Sequence, residues 1–173
     1  MTDENNAEHK RRIDKILSGA YTEGIESKSD DEVRELMNTA REVETEFSFL
    51  RRLAQSRMDI FKAEQDRREN GGSLSDLIAA LPSILASGDT RSSAPNSRLT
   101  SILAPAPSVE FKRGMETLVS DESLANLDRL SDDELKNTIE DLKKFEEEVS
   151  KTRKDLHEVI NKLESEIAQR AAS

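Results

Sequence analysis

Two stretches decide the fold: SDDEVRELMNTAREVETEFSFLRRLAQSRMDIFKAE over residues 29–64, and SDDELKNTIEDLKKFEEEVSKTRKDLHEVINKLESE over residues 131–166. Each opens with a serine followed three residues later by a glutamate, Ser29/Glu32 and Ser131/Glu134. That spacing is a capping box, in which the serine oxygen accepts one orphan backbone N–H and the glutamate another. The aspartates between them lie where the positive end of a helix dipole favours negative charge. Apolar residues then return every seventh position. Val33, Ala40, Phe47, Ala54 and Phe61 form one row, with Leu36, Val43 and Leu50 in the alternate seam position. In the second stretch Leu135, Leu142, Val149, Leu156 and Leu163 repeat the pattern, with Phe145 and Val159 beside them. Sustained heptads predict a coiled coil. Ala40, Ala54, Arg57, Thr138 and Thr152 interrupt the seam with small or polar side chains, so it is not the tightest possible zipper.

A shift of 102 residues aligns the two stretches without a gap from Ser29/Ser131 to Glu64/Glu166. Matched apolar positions follow from any two heptad repeats. Matched polar ones do not: Glu44/Glu146, Ser48/Ser150 and Arg51/Arg153 point to a duplication. The same shift places Ile13, Ile16 and Leu17 on Met115, Leu118 and Val119, predicting a repeat unit of a short helix followed by a long one. The chain therefore divides into an N-terminal segment with a short helix (1–28), a first long helix (29–68), a linker with short helices (69–130) and a second long helix (131–170). All four prolines fall in that linker, which is too long for a tight turn. Leu74, Leu77, Ile78, Leu81, Ile84 and Leu85 predict a helix interrupted at Pro82, and another is expected near Glu110 to Leu118. The expected architecture is all-α: an antiparallel two-helix coiled-coil hairpin with short accessory helices.

Composition narrows the function. The chain carries 36 acidic against 26 basic side chains, a net charge of -10. That opposes direct DNA binding, because a phosphate backbone is met by a basic surface, and suits a basic partner. There is no cysteine, hence no disulfide or thiolate metal site. No apolar run is long enough to span a membrane, and the start lacks the apolar core of a secretory signal, so a cytoplasmic protein is expected. No Gly-rich phosphate loop, nucleophile–base pair or metal cluster is present, so neither an enzyme nor a metal protein is expected.

One polar stripe runs beside the seam. Glu44, Ser48, Arg51, Gln55 and Asp59 are spaced 4, 3, 4 and 4. At helical pitch they fall within about 80° of arc and span roughly 22 Å. Arginine pairs bidentately with guanine O6 and N7, a carboxylate accepts from the guanine N1–H and N2–H edge, and Ser and Gln serve phosphate or ribose. The set suits a guanine nucleotide. Spacing alone favours a solvated face laced with i,i+4 pairs. In function, the alternative is a structural coiled-coil adaptor that binds a partner helix without nucleotide.

The spacing Glu44-x3-Ser48-x2-Arg51-x3-Gln55-x3-Asp59 resembles the repeated motif of the RsiG family, actinobacterial anti-sigma factors often labelled aerial mycelium formation proteins. The second stretch matches at Glu146, Ser150 and Arg153 and departs at the last two positions, where His157 stands for Gln and Asn161 for Asp. The resemblance implies an antiparallel coiled coil whose two stripes face a dimer of cyclic di-GMP. It further implies a loaded hairpin that sequesters a sigma factor of the WhiG/flagellar type, in sporulation or differentiation. By position, Arg51 and Arg153 would engage guanine and phosphate, and Asp59 a guanine edge. Glu44, Ser48, Gln55, Glu146 and Ser150 would complete the contacts. At Asn161 a charge-assisted bond becomes a neutral one, and His157 keeps a single donor or acceptor per ring nitrogen, so the second copy is expected to be the weaker. A twofold-symmetric ligand suits a duplication folded back on itself.

Overall fold

The computed structural model describes residues 12–87 and 124–172, with the side chains of 85–87 excepted. The helix expected at Glu110–Leu118, and the copy of the N-terminal cluster at Met115, Leu118 and Val119, lie outside the described residues. The main helices are α1 over 12–17, α2 over Asp30–Glu69, α3 over Leu74–Ser87 and α4 over Asp132–Ala171, with short 3-10 turns at Gly19–Thr22, Ile25–Ser27 and Leu127–Arg129. No strand occurs among the described residues. Helices α2 and α4 pack against each other in antiparallel sense, giving the all-α hairpin expected from the heptads.

The two capping boxes form as read. Ser29 N–H donates to Glu32 Oε2 at 2.7 Å and Glu32 N–H to Ser29 Oγ at 3.3 Å. Ser131 and Glu134 repeat the exchange at 2.8 and 3.3 Å. The serine bonds hold the Glu32 and Glu134 carboxyls below their ordinary range. A third box, not anticipated, starts α3: Ser73 N–H donates to Asp76 Oδ2 at 2.9 Å and Asp76 N–H to Ser73 Oγ at 3.2 Å. Helix α2 ends in a Schellman turn. Gly72 N–H returns to the Arg67 carbonyl at 2.9 Å and Gly71 N–H to that of Arg68 at 3.3 Å. Gly71 takes the left-handed conformation, φ 68°, that this turn requires.

The chain forms two compact units, and both long helices run through both of them. In the first unit the N-terminal half of α2 lies beside the C-terminal half of α4. Val33, Ala40, Val43, Leu156 and Leu163 are wholly buried, and Ile16 of α1 and Ile25 close the same core. Tyr21 Oη donates to the Leu36 carbonyl at 2.8 Å, and burial pushes its phenol up. Leu36 itself, assigned to the seam, is half-buried, while its neighbour Met37 is buried. A strict seven-residue repeat drifts by about 20° per heptad against the helix pitch, which exchanges neighbours at the edge of a seam.

In the second unit the C-terminal half of α2 lies beside the N-terminal half of α4. Ile60, Phe61, Leu77, Leu127, Leu135 and Leu142 form the core, with Leu81 and Ile84 packed against it. Those residues of α3 cover one end of the seam. The interruption expected at Pro82 does not occur: α3 runs through it. Proline deletes one i→i−4 hydrogen bond, here the one to Ile78, and both Pro82 and Ile78 lie on the exposed side of the helix, where the freed carbonyl is open to solvent.

One buried charge in the second unit is fully met by its neighbours. Glu64 is 0% exposed. Arg67 meets it with Nε at 2.6 Å and Nη2 at 2.8 Å, and Arg68 with Nε at 2.6 Å. Those guanidinium bonds outweigh the cost of burial and hold its carboxyl below the ordinary range.

Candidate functional site

The stripe residues occupy consecutive turns of α2 and α4, and their main contacts cross from one helix to the other. In the first unit Glu44 Oε1 accepts from Ser48 Oγ at 2.7 Å, from Arg153 Nε at 2.9 Å and from His157 Nε2 at 2.8 Å. Arg153 Nε also reaches Ser48 Oγ at 2.8 Å. Burial alone would raise the Glu44 carboxyl, but the bonds from Ser48, His157 and Arg153 together leave it below its ordinary value. In the second unit Glu146 Oε1 accepts from Arg51 Nε at 2.9 Å and from Gln55 Nε2 at 3.1 Å.

The two clusters are copies under the duplication. Glu44 corresponds to Glu146, Arg153 to Arg51 and His157 to Gln55. Their environments agree as well. The arginine side chains are 34% and 35% exposed, and the glutamates 16% and 17%. In each, a mostly buried carboxylate fixes the guanidinium through Nε. Such a grip orients the planar fork of the guanidinium. The Nη edge of Arg153 makes no hydrogen bond among the described residues.

The remaining motif residues divide. Ser48 belongs to the first cluster, and Ser150 lies half-buried one turn before Arg153. Asp59 is half-buried and Asn161 exposed, each one turn beyond its cluster. Neither of these two side chains enters a hydrogen bond or ion pair among the described residues. The sequence reading gave Glu44 and Glu146 a ligand-facing role of their own; the structure gives each a second task, positioning the arginine of the other helix. One helix read alone shows only its own face. Here the antiparallel register decides that Glu44 meets Arg153 rather than Arg51.

A second duplicated feature lay beyond the alignment. Arg170, at the end of α4, donates through Nε to Glu166 at 2.7 Å and through Nη1 to the Lys28 carbonyl at 2.8 Å and Asp30 at 2.8 Å. Its Nη2 donates to the Ile25 carbonyl at 2.6 Å. Arg68, at the end of α2, does the same with Glu64, the Leu130 carbonyl, Asp132 and the Leu127 carbonyl. Each arginine clasps the 3-10 turn, Ile25–Ser27 or Leu127–Arg129, that lies immediately before the opposite helix. Extending the shift of 102 by one helical turn past Glu64/Glu166 would have exposed the pair.

Among the described residues no group of His, Cys, Asp and Glu is arranged to hold a metal ion, and no helix is long and apolar enough to cross a membrane. Fold and site together define an internally duplicated helical hairpin of coiled-coil character. The sequence matches the family described as RsiG-like over residues 19–85 and 121–173, and the chain belongs to that family. Membership points to a role of the anti-sigma-factor type. No curated protein matches the chain.

Proposed function

We propose that this protein is a cyclic di-GMP-dependent anti-sigma factor, which sequesters a WhiG/flagellar-type sigma factor and so blocks transcription initiation in the cytoplasm of an actinobacterium. One observation carries the nucleotide half of the reading. The duplication supplies two matched Glu–Arg pairs, Glu44–Arg153 and Glu146–Arg51, each holding a one-third-exposed guanidinium through Nε. A fork fixed in that way suits guanine O6/N7 or a phosphate. Ser48, Gln55, His157 and Ser150 add neutral donors and acceptors, and Asp59 an acceptor for a guanine N–H edge. The net charge of -10 suits a basic, DNA-binding partner.

The nucleotide acts in this scheme by binding the sigma-competent arrangement more tightly than the alternative. Linkage is reciprocal, so sigma factor tightens nucleotide binding by the same factor. Calorimetric titration of a WhiG-type sigma factor into the protein tests this. With saturating cyclic di-GMP the affinity should rise at least about tenfold, or roughly 1.4 kcal/mol. The double variant Arg51→Ala/Arg153→Ala should lose that increment. Equal affinity with and without nucleotide would overturn the coupling, and tight binding that ignores nucleotide altogether would favour the plain coiled-coil adaptor.

A further inference from the structure

Gln55 and His157 hold corresponding places in the two copies, and each reaches the glutamate of the opposite helix, at 3.1 and 2.8 Å respectively. As single hydrogen bonds the two contacts are alike. In charge they are not. A carboxamide is neutral throughout, so in the second unit the charges of Glu146 and Arg51 cancel at every working pH. Histidine is the side chain that gains a proton between about pH 8 and 5. In the first unit the combined charge of Glu44, Arg153 and His157 then passes from neutral to singly positive.

The geometry of that unit lets the change reach a ligand. Glu44 Oε1 accepts from His157 Nε2 at 2.8 Å and from Arg153 Nε at 2.9 Å, so one carboxylate oxygen is shared by both cations. From α2 it is Glu44 that faces the ring; Arg41, one turn earlier, is turned to Glu164 at 2.7 Å. On α4 itself Arg153 and Lys154 lie a turn before the ring, and both keep a constant charge. The Glu44 carboxyl, held below its ordinary value of 4.5, stays ionised throughout the range in which histidine titrates. Once protonated, the imidazole takes up the Glu44 charge, and that of Arg153 is no longer cancelled. The His157 side chain is 47% exposed, so protons and ligand both reach it. A guanidinium fork held through Nε suits a phosphodiester oxygen. We propose that Glu44, Ser48, Arg153 and His157 form a phosphodiester site that strengthens in acid, with His157 as the group that makes cyclic di-GMP binding rise as pH falls. This rests on the nucleotide-binding reading above. The copy that departs from the motif is then the better anion binder in acid. Proton and nucleotide binding are linked reciprocally, each tightening the other by the same factor.

One added charge at a half-exposed site changes anion affinity by about two- to fivefold, and less as salt screens it. The test titrates cyclic di-GMP at low ionic strength into wild type, His157→Gln, His157→Lys and His9→Gln, at about pH 5.5 and about pH 8. Circular dichroism establishes that each is folded at both. Wild type should bind about two- to fivefold more tightly in acid, and so should His9→Gln, which alters the other histidine of the chain. His157→Gln gives the first unit the side chain that the second already has, and should bind equally at both pH values. His157→Lys carries the charge throughout; it should also bind equally at both, and more tightly than His157→Gln at the higher pH. Wild-type binding that ignores pH, or an acid increment that survives in His157→Gln, would overturn the inference and leave the function standing. No binding of cyclic di-GMP to wild type at either pH would remove the nucleotide reading and this inference with it.

Discussion

Replacing Arg68 or Arg170 by alanine probes the paired clasps, and the structure sets both the size and the order of the effects. Arg170 donates to two carbonyls, of Lys28 and Ile25, at 2.8 and 2.6 Å. Hydrogen bonds from a charged donor contribute about 1.5–3 kcal/mol, and because one guanidinium charge is shared between the two carbonyls, which water reaches once the side chain is gone, the pair counts as little more than one such bond. Its bond to Asp30 adds about 0–1 kcal/mol, because that carboxylate is 65% exposed and screened by water. Its partner Glu166 is 13% exposed, so after truncation water still reaches it. Arg170→Ala should therefore cost about 2–4 kcal/mol. Arg68 makes the corresponding bonds to Leu130 and Leu127 at 2.7 and 3.0 Å, but its partner Glu64 is fully enclosed. Removing one partner of a buried pair costs about 3–5 kcal/mol, and Arg67, which remains on Glu64, keeps the loss within that range. Arg68→Ala should thus be the more damaging. At about 2–4 °C per kcal/mol for a chain of this size, Tm falls by roughly 6–20 °C for Arg68→Ala and less for Arg170→Ala. Lysine keeps the charge but not the fork, so Arg68→Lys should recover less than half of the loss. Urea and thermal melts followed by circular dichroism measure all three. Alanine variants within about 0.5 kcal/mol of wild type, or a fully recovered Arg68→Lys, would refute the reasoning, since surface substitutions away from special features stay within that margin.

Acid should destabilise the fold. The Glu44 carboxyl lies below its ordinary value of 4.5, and that of Glu64 does too, so each contributes stability that is present above about pH 4.5 and is lost as pH falls through the lowered value. Glu46 has the opposite sign: burial pushes it up, Arg12 only partly offsetting this, so its contribution is present in acid and lost as pH rises. Glu46→Gln should accordingly raise Tm at pH 7 and make little difference at pH 4; the reverse order in a pH series of melts would contradict the assignment. Ser29→Ala and Ser131→Ala each remove one capping bond at 3.3 Å and should each cost about 0.5–2 kcal/mol in urea denaturation, with additive effects because the caps share no partner.

What the sequence could reveal follows from what a single helix encodes. Capping boxes and the heptad rows are local, and Ser29, Ser131 and the Val33–Phe61 and Leu135–Leu163 rows sit as the pattern requires. The stripe is local too, since its spacing is set along one helix. Their partners were not local. Glu44 meeting Arg153 depends on the antiparallel register, which heptads in separate helices leave open. The clasps were closer to hand, since Arg68 and Arg170 obey the same shift of 102 as the rest of the duplication. Glu64 looked like an ordinary matched position; its complete burial emerges only with Arg67 and Arg68 folded over it. Pro82 reads as a break because it deletes a hydrogen bond, yet α3 continues through it with the freed Ile78 carbonyl on its exposed side.

The most direct trial of the nucleotide site is a binding isotherm of labelled cyclic di-GMP on the purified chain, with stoichiometry, for wild type, Arg51→Ala and Arg153→Ala. Saturable binding should weaken in each variant by about ten- to hundredfold, the loss of one bidentate contact. Wild-type affinity in both variants, or no saturable binding to the unmutated chain, would contradict the account.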